Sequence, residues 1–393
     1  MDVADGAATR PAAGRRRVEI ARDAAELFAR RGFHAVRMND IAEAGGITAR
    51  ALYRHYANKQ ALLAHVIRED QQHVLDAIAA LERRPPDARG LENDLTAMVA
   101  AALDSRRLSV LWQREARHLT SEDYALVRRR TRFIAERFRV LLVEPAHPDL
   151  GEDTADLRSW VVVSLVSGPG FYDTTLSRAR LERSLVAAGT RVIRAPAVES
   201  VHPTTEAERP TTARREQLID AAAREFRAKG FAGVSMDDIG AEVGVVGPAL
   251  YRYVDTKVDL LSTAVTRLHE WLALETRRSL RCPSDDEVLG HLVSGYIRVA
   301  CDATDLLATS LTEKLYLPDN VLDRTERSEA DSFGEWQRWL VVRRPDLAEA
   351  EAATLVRAAR TVIDDCVRIP HLRRHPAMAD ELRCAALATM GLT

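Results

Sequence analysis

Over twelve positions the chain sets out Thr48, Arg50, Tyr53, Arg54, His55 and Lys59. These residue types suit contact with nucleic acid, because a guanidinium can bond the guanine edge bidentately while hydroxyl and imidazole groups meet phosphates or the thymine methyl. On a helix Leu52 takes the inward position and leaves Arg50, Tyr53, Arg54 and His55 on the outer surface. A Tyr-Arg-His run in isolation equally describes a solvated helix face. What separates the two readings is the setting of the run and its recurrence.

The whole neighbourhood recurs 198 residues later without a gap. Gly32-Phe33 returns as Gly230-Phe231, Met38 as Met236, Asp40-Ile41 as Asp238-Ile239, Gly46 as Gly244, Ala51-Leu52-Tyr53-Arg54 as Ala249-Leu250-Tyr251-Arg252, Lys59 as Lys257 and Leu62-Leu63 as Leu260-Leu261. Glu115 and Glu313 keep the same offset, and Pro148-Asp149-Leu150 returns as Pro345-Asp346-Leu347 at 197. A repeat at half the chain length makes each half one complete unit. In the second copy the candidate contacts are Tyr251, Arg252, Tyr253 and Lys257, while Val246 and Pro248 stand where the first has Thr48 and Arg50.

The elements that must hold these residues are helical. The 393 residues are 46% hydrophobic and 29% charged, enough for several packed domains, and Gly and Pro are sparse against Ala, Leu, Arg and Glu. We expect an all-α protein. Ile20, Ala24, Leu27 and Phe28 form one apolar stripe that Gly32 ends; a short helix over Met38 to Ala44, the turn Gly45-Gly46 and a third helix over Thr48 to Tyr56 follow. The second copy repeats the plan, with its third helix expected over Gly247 to Val254. Ser235 and Asp238 form an acidic capping box, whereas the matching first-copy position is Arg37, a poor cap read here as a phosphate contact. Two short helices about a glycine turn make a helix-turn-helix. Expected boundaries are a flexible tail over 1–14, the first helix-turn-helix domain over 15–66, a helical body over 67–194, a proline- and threonine-rich linker over 195–212, the second helix-turn-helix domain over 213–265 and a second body over 266–393.

The succession Gly-Phe, Met-x-Asp-Ile, Gly-Ile-Thr-x-x-Ala-Leu-Tyr-Arg-His-Tyr-x-x-Lys-x-x-Leu-Leu resembles the DNA-binding head of the TetR family of transcription regulators, once from about Arg15 to Val66 and again from about Arg214 to Val265. The resemblance implies a three-helix head joined to a larger helical body that pairs into a dimer and encloses a small-molecule pocket. It implies DNA contacts at Arg37, Thr48, Arg50, Tyr53, Arg54, His55 and Lys59, and at their second-copy partners. It further implies a ligand-responsive repressor whose partners are an operator duplex and a small apolar effector. Two such units in one chain leave two arrangements open, an intramolecular pseudo-dimer or a homodimer.

Charge distinguishes the copies. The net charge of −2 argues against a nucleic-acid binder, yet twelve Arg/Lys face five Asp/Glu between Arg10 and Arg68, against eight of each between Thr212 and Leu268. The first head is therefore the expected stronger DNA binder. In the bodies Trp112, Phe133, Trp160, Phe171 and Tyr172, then Tyr296, Phe333 and Trp336, are candidates to line effector pockets, although aromatics at helical spacing equally make ordinary core. Glu115-x-x-His118 has the spacing of a di-metal half-site, but Glu313 is followed by Tyr316, and His371 and His375 sit among arginines at a helix end. No metal, cofactor or enzymatic activity is expected, since no GxSxG, P-loop or GxGxxG motif occurs. Four scattered cysteines and no long apolar run fit a cytoplasmic protein without a membrane span. The rival readings are a constitutive architectural DNA binder and a small-molecule binding protein whose heads no longer bind DNA.

Overall fold

The computed structural model describes residues 10–104, 108–198, 211–245 and 247–392. Residues 1–9 of the expected tail, 199–210 of the expected linker and Val246 lie outside them. All regular structure among the described residues is helical.

The first half opens with α1 (Arg10–Ala35), α2 (Met38–Ala44) and α3 (Ala49–His55). Residues 10–14, expected as tail, instead form the first turns of α1. Gly32, at φ 76, breaks α1 where only glycine adopts that backbone cheaply. Phe28, Ile41 and Leu52 meet with Leu62 and Leu63 of α4 (Lys59–Glu82) in a core of their own, closed by Leu111 and Val127 from the body. The body continues with α5 (Leu91–Asp104), α6 (Leu108–Glu115), α7 (Ser121–Phe138), a π-helical turn at Arg139–Val143 leading into α8 (Glu144–Ala146), α9 (Glu152–Ser167) and α10 (Arg178–Arg194). α6 spans only eight residues, LSVLWQRE, too short a window for a helical apolar period to stand out in sequence.

The second half repeats the order with α11 (Arg214–Lys229), α12 (Met236–Glu242), a 3₁₀-helix (Gly247–Arg252), α13 (Lys257–Ser279), α14 (Asp285–Asp302), α15 (Thr304–Thr312), α16 (Asp319–Arg343), α17 (Glu349–Val367) and α18 (Met378–Met390). The third head helix expected over Gly247 to Val254 is thus a short 3₁₀ element. Thr48 caps α3 by accepting from Ala51 N at 3.2 Å, whereas the second copy enters through Gly247 at φ +55 followed by proline. Phe226, Ile239, Leu250 and Leu261 join the continuous core that runs through both bodies.

The halves meet through α9 and α10 on one side and α17 and α18 on the other, a four-helix contact. Ser164 Oγ reaches the carbonyl of Thr361 at 3.4 Å, and Arg191 Nε reaches that of Ala388 at 2.8 Å. Both pairs are 197 apart, the repeat offset of this region. In a two-fold arrangement a residue meets its own equivalent only on the axis, so these two contacts trace a pseudo-two-fold through the interface. Beside it Arg158 and Glu381, each 2% exposed, pair at 3.2 Å, with further bonds from Arg158 to the carbonyls of Ala195 and Pro196.

Removing one partner of such a pair strands a buried charge. Arg158→Met should lower unfolding free energy by about 3–5 kcal/mol in urea titrations, and the double variant Arg158→Met/Glu381→Leu should recover most of it. A single variant as stable as the wild type would contradict this account of the interface.

Candidate nucleic-acid interface and cavity

In the first head Tyr53 is 53% exposed although Leu52 beside it is fully buried. Arg50 and Arg54 share the outer face and His55 lies at its half-buried edge. Arg37 precedes α2; its backbone N–H donates to Asp40 Oδ2 at 2.8 Å while the guanidinium stays exposed. Arginine has no acceptor, so only this half of the capping box forms. Ser235 makes both halves, accepting from Asp238 N at 3.1 Å and donating its N–H to Asp238 Oδ2 at 2.8 Å. Among the described residues Arg22, Arg31, Arg37, Arg50 and Arg54 enter no ion pair.

The second head neutralises itself. Arg224 pairs with Glu242 at 2.7 Å, Lys229 with Glu225 at 2.5 Å and Arg267 with Glu216 at 2.5 Å. Tyr251 and Tyr253 are exposed, as is Arg252. A 3₁₀ element turns three residues per cycle, so its side chains do not fan out as those of α3 do. Pro248 has no backbone N–H and no group to offer a base.

Lys59 and Lys257, expected on phosphates, point the other way. Lys59 Nζ donates to the carbonyls of Phe33 and Val36 at 2.6 and 2.7 Å and sits 4.2 Å from the Phe33 ring centre. Lys257 does the same to Phe231 and Val234 at 2.7 and 2.6 Å. Burial pushes the ammonium pKa of both down. These lysines satisfy carbonyls freed by the glycine break, which explains their recurrence without any contact to nucleic acid.

The same break is gripped from the body. Phe33 N–H donates to buried Glu115 at 3.1 Å and Phe231 N–H to buried Glu313 at 3.0 Å. Each carboxylate has its own counter-charge: Arg114 at 2.6 Å for Glu115, and for Glu313 the first half's Arg117 at 2.5 Å. A Cβ on Gly230 would stand 2.9 Å from Arg117 Nε, and one on Gly32 would stand 3.2 Å from Leu315. Arg117 and Leu315 occupy equivalent positions, so each half leans on the other half's head.

The sequence model described as "Bacterial regulatory proteins, tetR family" matches residues 20–66 and again 218–264. Each head is a TetR-family DNA-binding domain. The chain carries two TetR heads in tandem. It is similar to the HTH-type transcriptional repressor KstR2 of Rhodococcus jostii, 29% identical over 109 residues that make up 28% of this chain and 53% of that protein. It is also similar to the HTH-type transcriptional activator FasR of Mycolicibacterium smegmatis, 32% identical over 77 residues, 20% of this chain and 35% of that one. The chain therefore spans about half the length of the first of these relatives and a third of the second. The TetR-family regulator PfmR of Thermus thermophilus, a solved structure, aligns over 45% of this chain and 98% of its own at 17% identity and a TM-score of 0.40.

Behind the TetR heads lies a cavity of about 930 Å³. Trp112 and Trp160 line it, together with Ile67, Gln71, Val163 and Phe138. The other aromatics expected at a pocket are elsewhere. Phe133 is 50% exposed and Phe171 37%, and Tyr172 packs on the continuous core. Tyr296, Phe333 and Trp336 surround the buried guanidinium of Arg360, with centroid distances of 4.3, 4.0 and 5.8 Å. The second body's aromatic cluster thus encloses an arginine of its own. His371 bonds Asp156 and His375 bonds Thr154, both at 3.1 Å, tying the halves together. Sequence reasoning also missed that Cys282, Glu287 and His291 bring one ligand-type atom each within 4.8 Å of one another at the α13–α14 turn. No described helix is long and apolar enough to cross a membrane.

His118 is wedged between Phe33, stacked at 5.0 Å, and His34 at 4.4 Å. Burial, then the cations Arg117, His34 and Lys59, push its pKa down to about 3. The unfolded chain takes up this proton below about pH 6.5 and the folded one does not, so stability falls as pH drops from about 6.5 towards 3. His118→Tyr, the residue at the equivalent Tyr316, removes this term. Its melting temperature should fall less than that of the wild type between pH 6.5 and 4.5; parallel curves would show that His118 is not buried neutral.

Proposed function

We propose that the protein is a cytoplasmic DNA-binding transcription regulator, an effector-responsive repressor in which two heads of one chain stand where a dimer would supply two. The heads are residues 15–66 and 213–265, and the bodies are 67–194 and 266–393. The observation that carries the reading is the uncompensated basic face of the first head, with Arg50, Tyr53 and Arg54 exposed on α3, inside a TetR-family match. Arg37, Thr48 and His55 complete the contact set of the first head. Tyr251, Arg252 and Tyr253 form the weaker set of the second, which has no net charge to release counterions from a duplex.

The four-helix contact and its pseudo-two-fold support pairing within one chain. Two heads reading one face of a duplex must present recognition elements about 34 Å apart, one helical turn. An effector that favours another separation releases DNA by binding the two states unequally. The Rhodococcus relative is named a repressor, and we take the same sign here.

Footprinting on the DNA upstream of the protein's own gene tests the reading directly. Two protected half-sites about one turn apart are expected from one chain, with mass measurement of the complex giving the stoichiometry. Tyr53→Ala and Arg54→Ala should each weaken specific binding by about 1–3 kcal/mol, Tyr251→Ala by less, and Arg37→Ala should lower the salt slope by about one. Equal losses at Tyr53 and Tyr251 would overturn the asymmetry, and absence of protection at low salt would overturn the regulator reading. A promoter fusion whose output rises on deletion of the protein supports repression; a fall reverses the sign.

A further inference from the structure

We propose that the cavity is a single effector site shared by the first body and the second head, and that its ligand is an anionic amphiphile with a hydrogen-bond donor close to its charged end. The proposal rests on the effector-responsive reading above and gives it a chemistry. The expected apolar effector does not suit the wall, which carries six arginines beside its tryptophans.

Four of those arginines are already paired. Arg117 is held by Glu313, Arg224 by Glu242, Arg227 by Asp305 and Arg368 by Asp365. Arg128 and Arg132, one turn apart on α7, enter no ion pair among the described residues. Of the acidic groups on the wall, Asp305 and Asp365 are used in those pairs, and Asp70 is itself engaged. Two exposed guanidiniums at i and i+4 form a clamp for a carboxylate or phosphate.

Gln71 specifies the rest. It is 8% exposed, and its Nε2 donates to Val127 O at 3.0 Å and to Thr131 Oγ1 at 2.9 Å. A backbone carbonyl only accepts, so the amide cannot be flipped, and Oε1 is left buried with no protein donor. A ligand hydroxyl or amide N–H satisfies it. Because Thr131 adjoins Arg132 and lies three residues from Arg128, donor and anion must be near neighbours in the ligand. The apolar part then runs along Ile67, Val74, Phe138 and Val163, with Trp112 and Trp160 beside it.

The opposite wall belongs to the other half. Arg224, Arg227 and Ala228 of α11, the first helix of the second head, line the same space. An occupant therefore touches that head directly and biases its position against the first body.

The test uses the full chain without DNA, reading titration by calorimetry and by quenching of tryptophan fluorescence. The probes are N-dodecanoylglycine, dodecanoate, dodecyl phosphate and dodecanol. N-dodecanoylglycine should bind tightest and each anion at least about tenfold tighter than dodecanol; the order of dodecanoate and dodecyl phosphate identifies the headgroup. Arg128→Gln/Arg132→Gln should erase the preference for anions while leaving dodecanol binding unchanged. Gln71→Leu should weaken N-dodecanoylglycine without affecting dodecanoate. Ala228→Trp, an exposed position that circular dichroism can check for folding, should weaken every probe at least about tenfold. Equal affinity for dodecanol and the anions overturns the ligand class, and unchanged binding by Ala228→Trp overturns the shared site. A probe that binds as described yet leaves DNA affinity unaltered overturns the regulatory reading and not the site.

Discussion

Two buried carboxylates hold this molecule to its geometry. Glu115 and Glu313 each accept a backbone N–H from the residue after the glycine that ends the first head helix. The bond joins head to body at the point where the helix has left donors and carbonyls unsatisfied, and Lys59 or Lys257 closes the remaining carbonyls from the far side. A carboxylate buried this deeply requires a nearby cation. Glu115 has Arg114 in its own half, but the position equivalent to Arg114 is Thr312, and Glu313 depends on Arg117 from the other half. The two halves are therefore not interchangeable copies. The second is electrostatically complete only against the first.

That dependence fits the other differences between the copies. The first head has a core of its own, a capped recognition helix and a basic face, features suited to engaging a duplex. The second is fused into the central core, pairs its charges internally and presents its outer residues on a 3₁₀ turn. Its first helix faces the cavity.

The bodies diverged along the same line. In the first, α4, α7 and α9 leave a space whose polar groups are only partly paired. In the second, Arg360 lies among Tyr296, Phe333 and Trp336, and the Tyr296 hydroxyl donates to Asp364 at 2.6 Å. Burial outweighs the nearby arginines and lifts the Asp364 carboxyl to about 6. A cation–aromatic cluster of this kind stabilises the second body by contacts among its own side chains.

The sequence by itself determined the helical class, the duplication, the limits of α2 to within a residue and the outward placement of Arg50, Tyr53 and Arg54. These follow from apolar period, glycine position and side-chain direction, which are local properties. It also carried the capping box at Ser235, a contact spanning three residues. The tertiary structure alone decided the rest. Recurrence of Lys59 and Lys257 looked like a shared phosphate contact, and only the folded path of the Phe33–Val36 segment shows their ammonium groups turned inward. Gly247-Pro248 was compatible with a helix until its backbone was placed. Aromatic spacing could not separate Trp112 and Trp160 on a cavity from Tyr296 and Trp336 around an arginine, because that depends on which side chain of another helix fills the space between. The pairing of Arg117 with Glu313 and the meeting of α7 with α11 join residues from opposite halves, and no periodicity within one segment encodes what a distant segment brings against it.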